Sequence, residues 1–159
     1  MSIQSEKYLV SIIILLIYAV GNSSTAGNLQ SDSQKQEYKK YYVEDIKKAM
    51  SDHIGNHIDV DGIFHHYDDK TGENLSLKFV KIHDPVRVID NNTYFACTDF
   101  EVVGEANKLY DLDFWLSPVD GVLKVFKTKI HKEPKKSLIY GWYKQPRYTF
   151  VDDKVVPLY

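Results

Sequence analysis

Side chains alternate between apolar and polar character along three consecutive segments, and this alternation constrains the fold more than any other feature of the chain. The segments cover residues 93–103, 108–116 and 122–131, with glycine-containing turn sequences between them. Successive side chains of a β-strand point to opposite faces of a sheet, so a period of two indicates strands with one apolar face. Short connections join antiparallel neighbours. The sequence therefore predicts an antiparallel sheet at the centre of the domain.

Weaker strand signals and one helical repeat precede these segments. Residues 62–67 and 75–83 read as strands, and after Pro85 residues 86–89 are either a continuation past a bulge or an edge segment. The repeat is apolar every fourth residue, at Tyr38, Tyr42, Ile46 and Met50. It predicts an amphipathic helix from about Ser33 to a glycine stop at Gly55.

The predicted fold class is α+β, with one long N-terminal helix packed on a curved antiparallel sheet of four to five strands. This order of elements resembles cystatin-like and NTF2-like domains over roughly residues 33–131. The resemblance is architectural and includes no motif, so it implies no functional residue. Residues 94–100 and 110–115 are also similar to stretches of uncharacterised exported bacterial proteins, which implies no activity.

The N-terminus indicates export. An uncharged apolar run at residues 8–21 is shorter than the ~20 residues of a membrane span, and its length is typical of a signal peptide. Small residues at 19–21 or 24–26 fit the cleavage rule. We predict a signal peptide over 1–26 and a flexible lead-in over 27–36, in a periplasmic or secreted protein. The alternative is an uncleaved leader that anchors the chain in a membrane.

The remaining chain is long enough for one domain. We expect the helix and sheet over residues 37–131, followed by an extended aromatic and basic arm over 132–159 that ends in a hairpin around residues 152–154. A net charge of −2 argues against a general nucleic-acid binder, whose phosphate contacts need a basic excess. Cys97 is the only cysteine, which rules out an internal disulfide and favours a small buried side chain.

Four of the six histidines lie close together in the chain, at His53, His57, His65 and His66. Neutral imidazoles ligate zinc, copper, nickel and iron, and the spacing of His53 and His57 suits one helix face. The predicted helix end at Gly55 weakens that geometry. His65 and His66 are neighbours on a strand and must point to opposite faces. A divalent metal site and a polar helix-to-strand connection both explain this cluster.

The predicted strand register brings acidic side chains together. A hairpin loop at residues 104–106 places Asp111 opposite Asp99 and Asp113 opposite Cys97. A second hairpin centred on Val119 places Lys127 beside Asp111. The resulting acidic ladder consists of Asp99, Asp111, Asp113 and Lys127.

Two interpretations of the acidic ladder remain open. The first is a solvated row of ion pairs on the sheet surface. The second is a pair of carboxylates in which one pKa is raised for acid–base chemistry. No nucleophile motif or phosphate-binding glycine loop accompanies the ladder. We therefore assign no catalytic residue and favour a protein that is not an enzyme.

The same register gives the sheet an apolar face and a mixed face. The face toward the helix carries Phe100, Tyr110, Leu112, Phe114, Phe126 and Thr128. The opposite, outer face groups Phe95, Trp115 and Leu123, which need a cover that is either the aromatic arm or a second subunit. The predicted partner or ligand surface consists of Phe95, Trp115, Leu123, Tyr140, Trp142, Tyr143 and Arg147.

These patterns favour an exported, non-enzymatic binding domain that uses the outer sheet face and the C-terminal arm. The expected partner is a protein or a second copy of the chain, and a membrane only if the leader is uncleaved. One alternative is a periplasmic metal-binding protein that uses the histidine cluster. Another, implied by the resemblance to cystatin-like and NTF2-like domains, is a small hydrolase or isomerase with a pocket between helix and sheet. The sequence names no cofactor, and a divalent metal is the one candidate.

Overall fold

The computed structural model describes residues 39–90 and 92–158. The predicted signal peptide and flexible lead-in lie outside the described residues. Within the described ranges, no helix combines the length and the apolar character that crossing a bilayer requires.

The described residues form one helix and nine strands. In chain order these are α1 (Val43–Gly55), β1 (Phe64–Asp68), β2 (Glu73–Ile82), β3 (Arg87–Asp90), β4 (Thr93–Val102), β5 (Leu109–Val119), β6 (Val122–Ser137), β7 (Gly141–Pro146), β8 (Tyr148–Val151) and β9 (Lys154–Pro157). The chain is therefore mainly β, and the predicted α+β class with a long helix on four to five strands is wrong.

Seven of the strands form one antiparallel sheet. Its order is β1-β2-β4-β5-β6-β7, and β3 pairs with the part of β4 that β2 leaves free. β2 and β3 thus follow one edge of β4. Pro85 lies in the break between them, because proline has no N–H group to donate to the neighbouring strand. The remaining strands, β8 and β9, form a separate two-stranded sheet.

The helix is shorter than predicted because it begins at Val43. Tyr42 is the N-cap residue, and its backbone N–H donates to the Asp45 carboxylate at 2.9 Å. This hydrogen bond satisfies a donor that a helix start leaves unpaired, and the acidic side chain suits the positive end of the helix dipole. Tyr42 consequently lies outside the apolar stripe and is exposed, while the helix ends at Gly55 as predicted.

The helix packs on the inner face of the sheet. Ile46 and Met50 are buried there against a layer that includes Phe100, Leu112 and Phe114, all fully buried. Each such side chain contributes about 1.5–3 kcal/mol when it leaves water. The predicted orientation of β4 and β5 toward the helix is confirmed for these side chains.

The predicted register of β6 is wrong, because the turn lies elsewhere. Asp120 and Gly121 both have positive φ, 52° and 74°, which is typical of a two-residue type I′ hairpin. Val119 therefore pairs with Val122 instead of marking the turn centre. The shift changes which side chains face inward. Leu123 joins the inner core, and Phe126 is exposed.

The C-terminal segment is not an extended arm. Residues 132–137 complete β6, β7 pairs with them, and β8 and β9 form the hairpin predicted around residues 152–154. This covering hairpin, Tyr148–Pro157, lies on the outer face, where Phe150 contacts Phe95 with ring centroids 5.0 Å apart. The chain itself therefore covers the outer apolar group.

A buried ion cluster ties the first strand to the C-terminal region. Two guanidinium nitrogens of Arg147 donate to the two carboxylate oxygens of Asp68, at the end of β1, over 2.6 Å each. A third donates to Glu133 on β6 at 2.7 Å. Burial raises the pKa of Asp68, but the hydrogen bonds from Arg147 and the Lys70 backbone outweigh it and lower the pKa to about 2.

Removing the guanidinium should destabilise the fold strongly. We expect Arg147→Gln to lower the free energy of unfolding by about 3–5 kcal/mol, because Asp68 would remain buried without its partner. Urea denaturation measures this loss. Arg87→Gln is the matched control, since the Arg87–Asp153 pair is exposed and should contribute less than about 1 kcal/mol. Equal effects of the two substitutions would contradict the role assigned to Arg147.

Acid should weaken the fold through the same carboxylate. The pKa of Asp68 falls from 3.8 to about 2 on folding, so its contribution is complete above the unfolded value and disappears as the pH drops through the folded one. The shift corresponds to roughly 2 kcal/mol. Unfolding free energies measured from about pH 5 down to about pH 2 should show this loss. Asp68→Asn should have a flatter profile, and an unchanged profile would contradict the assignment.

Candidate functional site

Polar side chains of β4 and β5 meet on the outer face of the sheet. Cys97 pairs with Asp113, and Asp99 pairs with Asp111. The predicted register of these two strands is confirmed, because the loop between them has the predicted centre. Alternation in both strands places all four side chains on the side opposite the helix.

β6 adds an imidazole and an ammonium group to this cluster. A register shift opposite Asp111 and Leu112 leaves His131 as an extra residue beside Lys132. Lys132 donates to Asp111 at 2.9 Å, and His131 Nδ1 lies 3.5 Å from Asp113 Oδ1. Lys132 thus holds the position predicted for Lys127.

Lys127 itself lies opposite Trp115, with its ammonium group 4.6 Å from the centre of the indole ring. Sequence reasoning missed His131 and Lys132 because the predicted turn centre was wrong and because two register shifts in β6 have no signal in the alternation pattern. A bulge adds one residue to a strand without changing the type of residue it contains.

The covering hairpin buries the acidic cluster. Tyr148 donates its hydroxyl to Asp113 Oδ2 at 2.6 Å, and its ring stacks on His131 with centroids 4.8 Å apart. Asp111 and Asp113 are 0% exposed and Asp99 is 4% exposed. The interpretation of the acidic ladder as a solvated row of ion pairs is therefore wrong.

Both carboxylate oxygens of Asp99 have partners. Lys144 forms an ion pair with one of its oxygens, and His83 Nε2 lies 2.9 Å from the other. Burial raises the pKa of Asp99, but the hydrogen bonds from Lys144 and His83 bring it below 3.8. This carboxylate is therefore ionised at neutral pH.

In both Asp111 and Asp113, only one of the two carboxylate oxygens has a hydrogen-bond partner. The Oδ1 atom of each is buried and has no hydrogen-bond partner among the described residues, since His131 Nδ1 is too far from Asp113 Oδ1 for a normal bond. A buried polar atom without a partner costs free energy. In the cluster, three carboxylates outnumber the two ammonium groups of Lys132 and Lys144.

Four potential metal ligands converge around these oxygens. Cys97 Sγ, one oxygen each of Asp111 and Asp113, and a ring nitrogen of His131 all lie within 4.8 Å of one another. A second group, His83, Asp99 and Asp111, meets the same criterion. The first group is the better candidate, because both oxygens of Asp99 already have partners.

The protonation states of Cys97 and Tyr148 follow from the same surroundings. Burial raises the pKa of the thiol, and the charges of Asp113 and Asp111 raise it further. Burial and then Asp113 also raise the pKa of Tyr148. The phenol remains a donor at all physiological pH values, and the thiol stays protonated unless a cation neutralises the carboxylates.

The structure does not bring the predicted histidine cluster together. His53 and His57 stack at 4.0 Å, His65 Nε2 lies 3.0 Å from Asp59 Oδ2, and His66 stacks on Phe64. In residues 39–90 and 92–158, neither group of three or more converging metal ligands includes any of these four histidines.

An open groove of about 600 Å³ lies between α1 and the β5–β6 turn. Its ionisable lining groups come from Lys39, Tyr41, Asp45, Lys48, Asp52, His53, His57 and Lys124. Its described lining includes no serine, threonine or cysteine to act as a nucleophile. The groove therefore offers less chemistry than the buried cluster.

The predicted partner surface is divided among separate places. Phe95 and Trp115 lie under the covering hairpin, Leu123 belongs to the inner core, and Arg147 holds the ion cluster. The remaining three residues lie on or beside the β6–β7 turn, where Tyr140 is exposed, Tyr143 is nearly half exposed and Trp142 is partly buried.

Comparison with protein-family models, curated proteins and solved structures finds no match. The resemblance to cystatin-like and NTF2-like domains stays a prediction.

The hydroxyl of Tyr148 should contribute more to the free energy of unfolding than the hydroxyl of an exposed tyrosine does. Tyr148→Phe leaves Asp113 Oδ2 without a donor, and we expect it to cost about 1–3 kcal/mol of unfolding free energy. Tyr143→Phe is the control, with an expected change within about 0.5 kcal/mol. Thermal and urea unfolding measure both variants, and indistinguishable stabilities would contradict the burial of Asp113 under the hairpin.

Proposed function

We propose that this domain binds a divalent transition metal, zinc foremost, through Cys97, Asp111, Asp113 and His131. The observation that carries the proposal is the pair of fully buried carboxylates whose Oδ1 atoms lack partners beside a thiol and an imidazole. A bound cation would give both oxygens the partner that the described residues do not.

The donor set suits zinc. Thiolate, imidazole and carboxylate are its usual ligands, in tetrahedral groups of four with bonds of about 2.0–2.3 Å. Donor atoms around such an ion are roughly 3.3–3.8 Å apart. The four donors lie within 4.8 Å of one another, so only a modest contraction is needed. Calcium and magnesium are disfavoured, because they prefer all-oxygen shells.

The charges also balance. Metal binding deprotonates a ligating thiol, so Cys97, Asp111 and Asp113 would together carry three negative charges. The divalent ion and the Lys132 ammonium supply three positive charges, and Lys144 already neutralises Asp99. A buried cluster without net charge avoids the cost of an isolated ion in a low dielectric.

The proposed site is a closed one. Four protein donors satisfy a tetrahedral ion and leave no position for a substrate, which is typical of structural zinc sites rather than catalytic ones. Tyr148 connects the site to the covering hairpin through Asp113 and His131. The metal would therefore fasten this hairpin to the sheet, in keeping with a domain that binds and does not catalyse.

Metal analysis of the full chain purified without an affinity tag tests the proposal. We expect one zinc per chain, and after exchange with cobalt the visible bands of a tetrahedral site with a thiolate-to-cobalt charge-transfer band. Cys97→Ser should abolish the charge-transfer band. Asp113→Asn should weaken metal affinity by more than roughly tenfold, because it removes a charged ligand.

The predicted histidine cluster supplies the matched control. The double variant His53→Ala, His57→Ala removes two imidazoles outside the site and should bind cobalt with the wild-type spectrum. Loss of binding in that variant, or a wild-type protein that neither retains zinc nor takes up cobalt, would contradict the proposal.

A further inference from the structure

Three consecutive large side chains are exposed at the turn between β6 and β7. Leu138, Ile139 and Tyr140 have exposed fractions of 106%, 82% and 81%. Single exposed apolar residues are ordinary, but a contiguous exposed group marks a contact site. We call these three residues the hairpin tip.

The hairpin tip projects beyond the sheet. The last pair of β6 with β5 is Lys132 with Asp111, and from there to Ser137 the strand pairs with β7 only. Five residues of strand span roughly 17 Å. The tip is therefore a convex end of a two-stranded ribbon.

Two of the three backbone N–H groups of the hairpin tip are hydrogen-bonded within the turn. The N–H groups of Ile139 and Tyr140 both donate to Ser137 Oγ, at 3.2 and 3.3 Å. Gly141 closes the turn with a φ of +69°, a conformation that other residues rarely adopt. An apolar environment penalises unpaired N–H groups, so pairing these two donors lowers the free-energy cost of moving the tip out of water.

Lysines and aromatic rings lie directly behind the hairpin tip. Lys136 pairs across the hairpin with Trp142, and the ammonium groups of Lys136 and Lys108 lie 5.6 and 5.2 Å from the centre of the indole ring. Lys135 pairs with Tyr143 across the same hairpin. Aromatic rings with lysines next to an apolar tip are typical of side chains at a membrane interface.

The nearby acidic groups do not cancel this positive charge. Glu133 is buried and shared among Arg147, Lys70 and Lys135, and Glu105 pairs with Lys108. Lys136 has no carboxylate partner among the described residues. The surface behind the hairpin tip is thus complementary to negative charge.

We propose that the hairpin tip inserts into the surface of an anionic lipid bilayer. Leu138, Ile139 and Tyr140 enter the acyl boundary, while Trp142 and the lysines Lys135 and Lys136 lie at headgroup depth. A bilayer accepts a convex tip without a matching cavity, and its anionic headgroups pair with the lysines. This inference is independent of the metal site.

Quenching of Trp142 fluorescence by vesicles with brominated acyl chains tests the insertion in the full chain. The readout reports the surroundings of the indole, so other contacts between chain and vesicle do not imitate it. Trp115 is buried under the covering hairpin and out of reach of lipid. We expect strong quenching with vesicles of phosphatidylglycerol and phosphatidylcholine, several-fold weaker quenching with phosphatidylcholine alone, and no quenching in Trp142→Phe.

The double variant Leu138→Asp, Ile139→Asp should reduce the quenching at least about fivefold, because it places charge where the bilayer is apolar. Val60→Asp is the matched control, since Val60 is equally exposed, at 102%, in the loop before β1, and it should leave quenching unchanged. Wild-type quenching in the double variant would overturn the proposal. So would absence of quenching together with tip-dependent dimerisation in solution, which would assign the tip to a second copy of the chain.

Discussion

Two fully buried carboxylates, Asp111 and Asp113, lie on the outer face of the sheet, and the packing of that face follows from their need for partners. Leu112 and Phe114 on β5 point inward and pack in the core with the helix. Because side chains alternate along a strand, Asp111 and Asp113 must point to the outer face. The covering hairpin then removes both acids from water. Buried carboxylates require partners, and this need explains why a tyrosine, a lysine and a histidine converge on them.

β6 connects the main features of the molecule. Near its start Leu123 belongs to the inner core, and its middle contributes His131 and Lys132 to the buried cluster. Glu133 then pairs with Arg147, and the end of the strand leads into the hairpin tip. The strand changes role along its length because register shifts re-aim its side chains. The closed metal site that we propose and the exposed tip are therefore parts of one continuous strand with different surroundings.

The sequence predicted the parts of the fold that depend on local alternation. The pairing of Asp99 with Asp111 and of Cys97 with Asp113 is confirmed, since two regular strands around one short loop have a single consistent register. The positions of Lys127, Leu123 and Phe126 were mispredicted for a physical reason. The type I′ turn moves the pairing of β6 with β5 by three residues, and each of the two register shifts in β6 adds one more. None of these displacements leaves a mark in the hydrophobic pattern. The burial of Asp111 and Asp113 under the covering hairpin depends on contacts between residues distant in sequence, such as Tyr148 with Asp113. The period of a strand gives no information about such contacts.

X-ray absorption spectroscopy at the zinc edge, on the full untagged chain loaded with one equivalent of zinc, tests whether Cys97 and its neighbours ligate the metal. We expect one sulfur at about 2.3 Å with three nitrogen or oxygen neighbours at about 2.0–2.2 Å. A first shell without sulfur would contradict the proposed site, because Cys97 is the only cysteine in the chain.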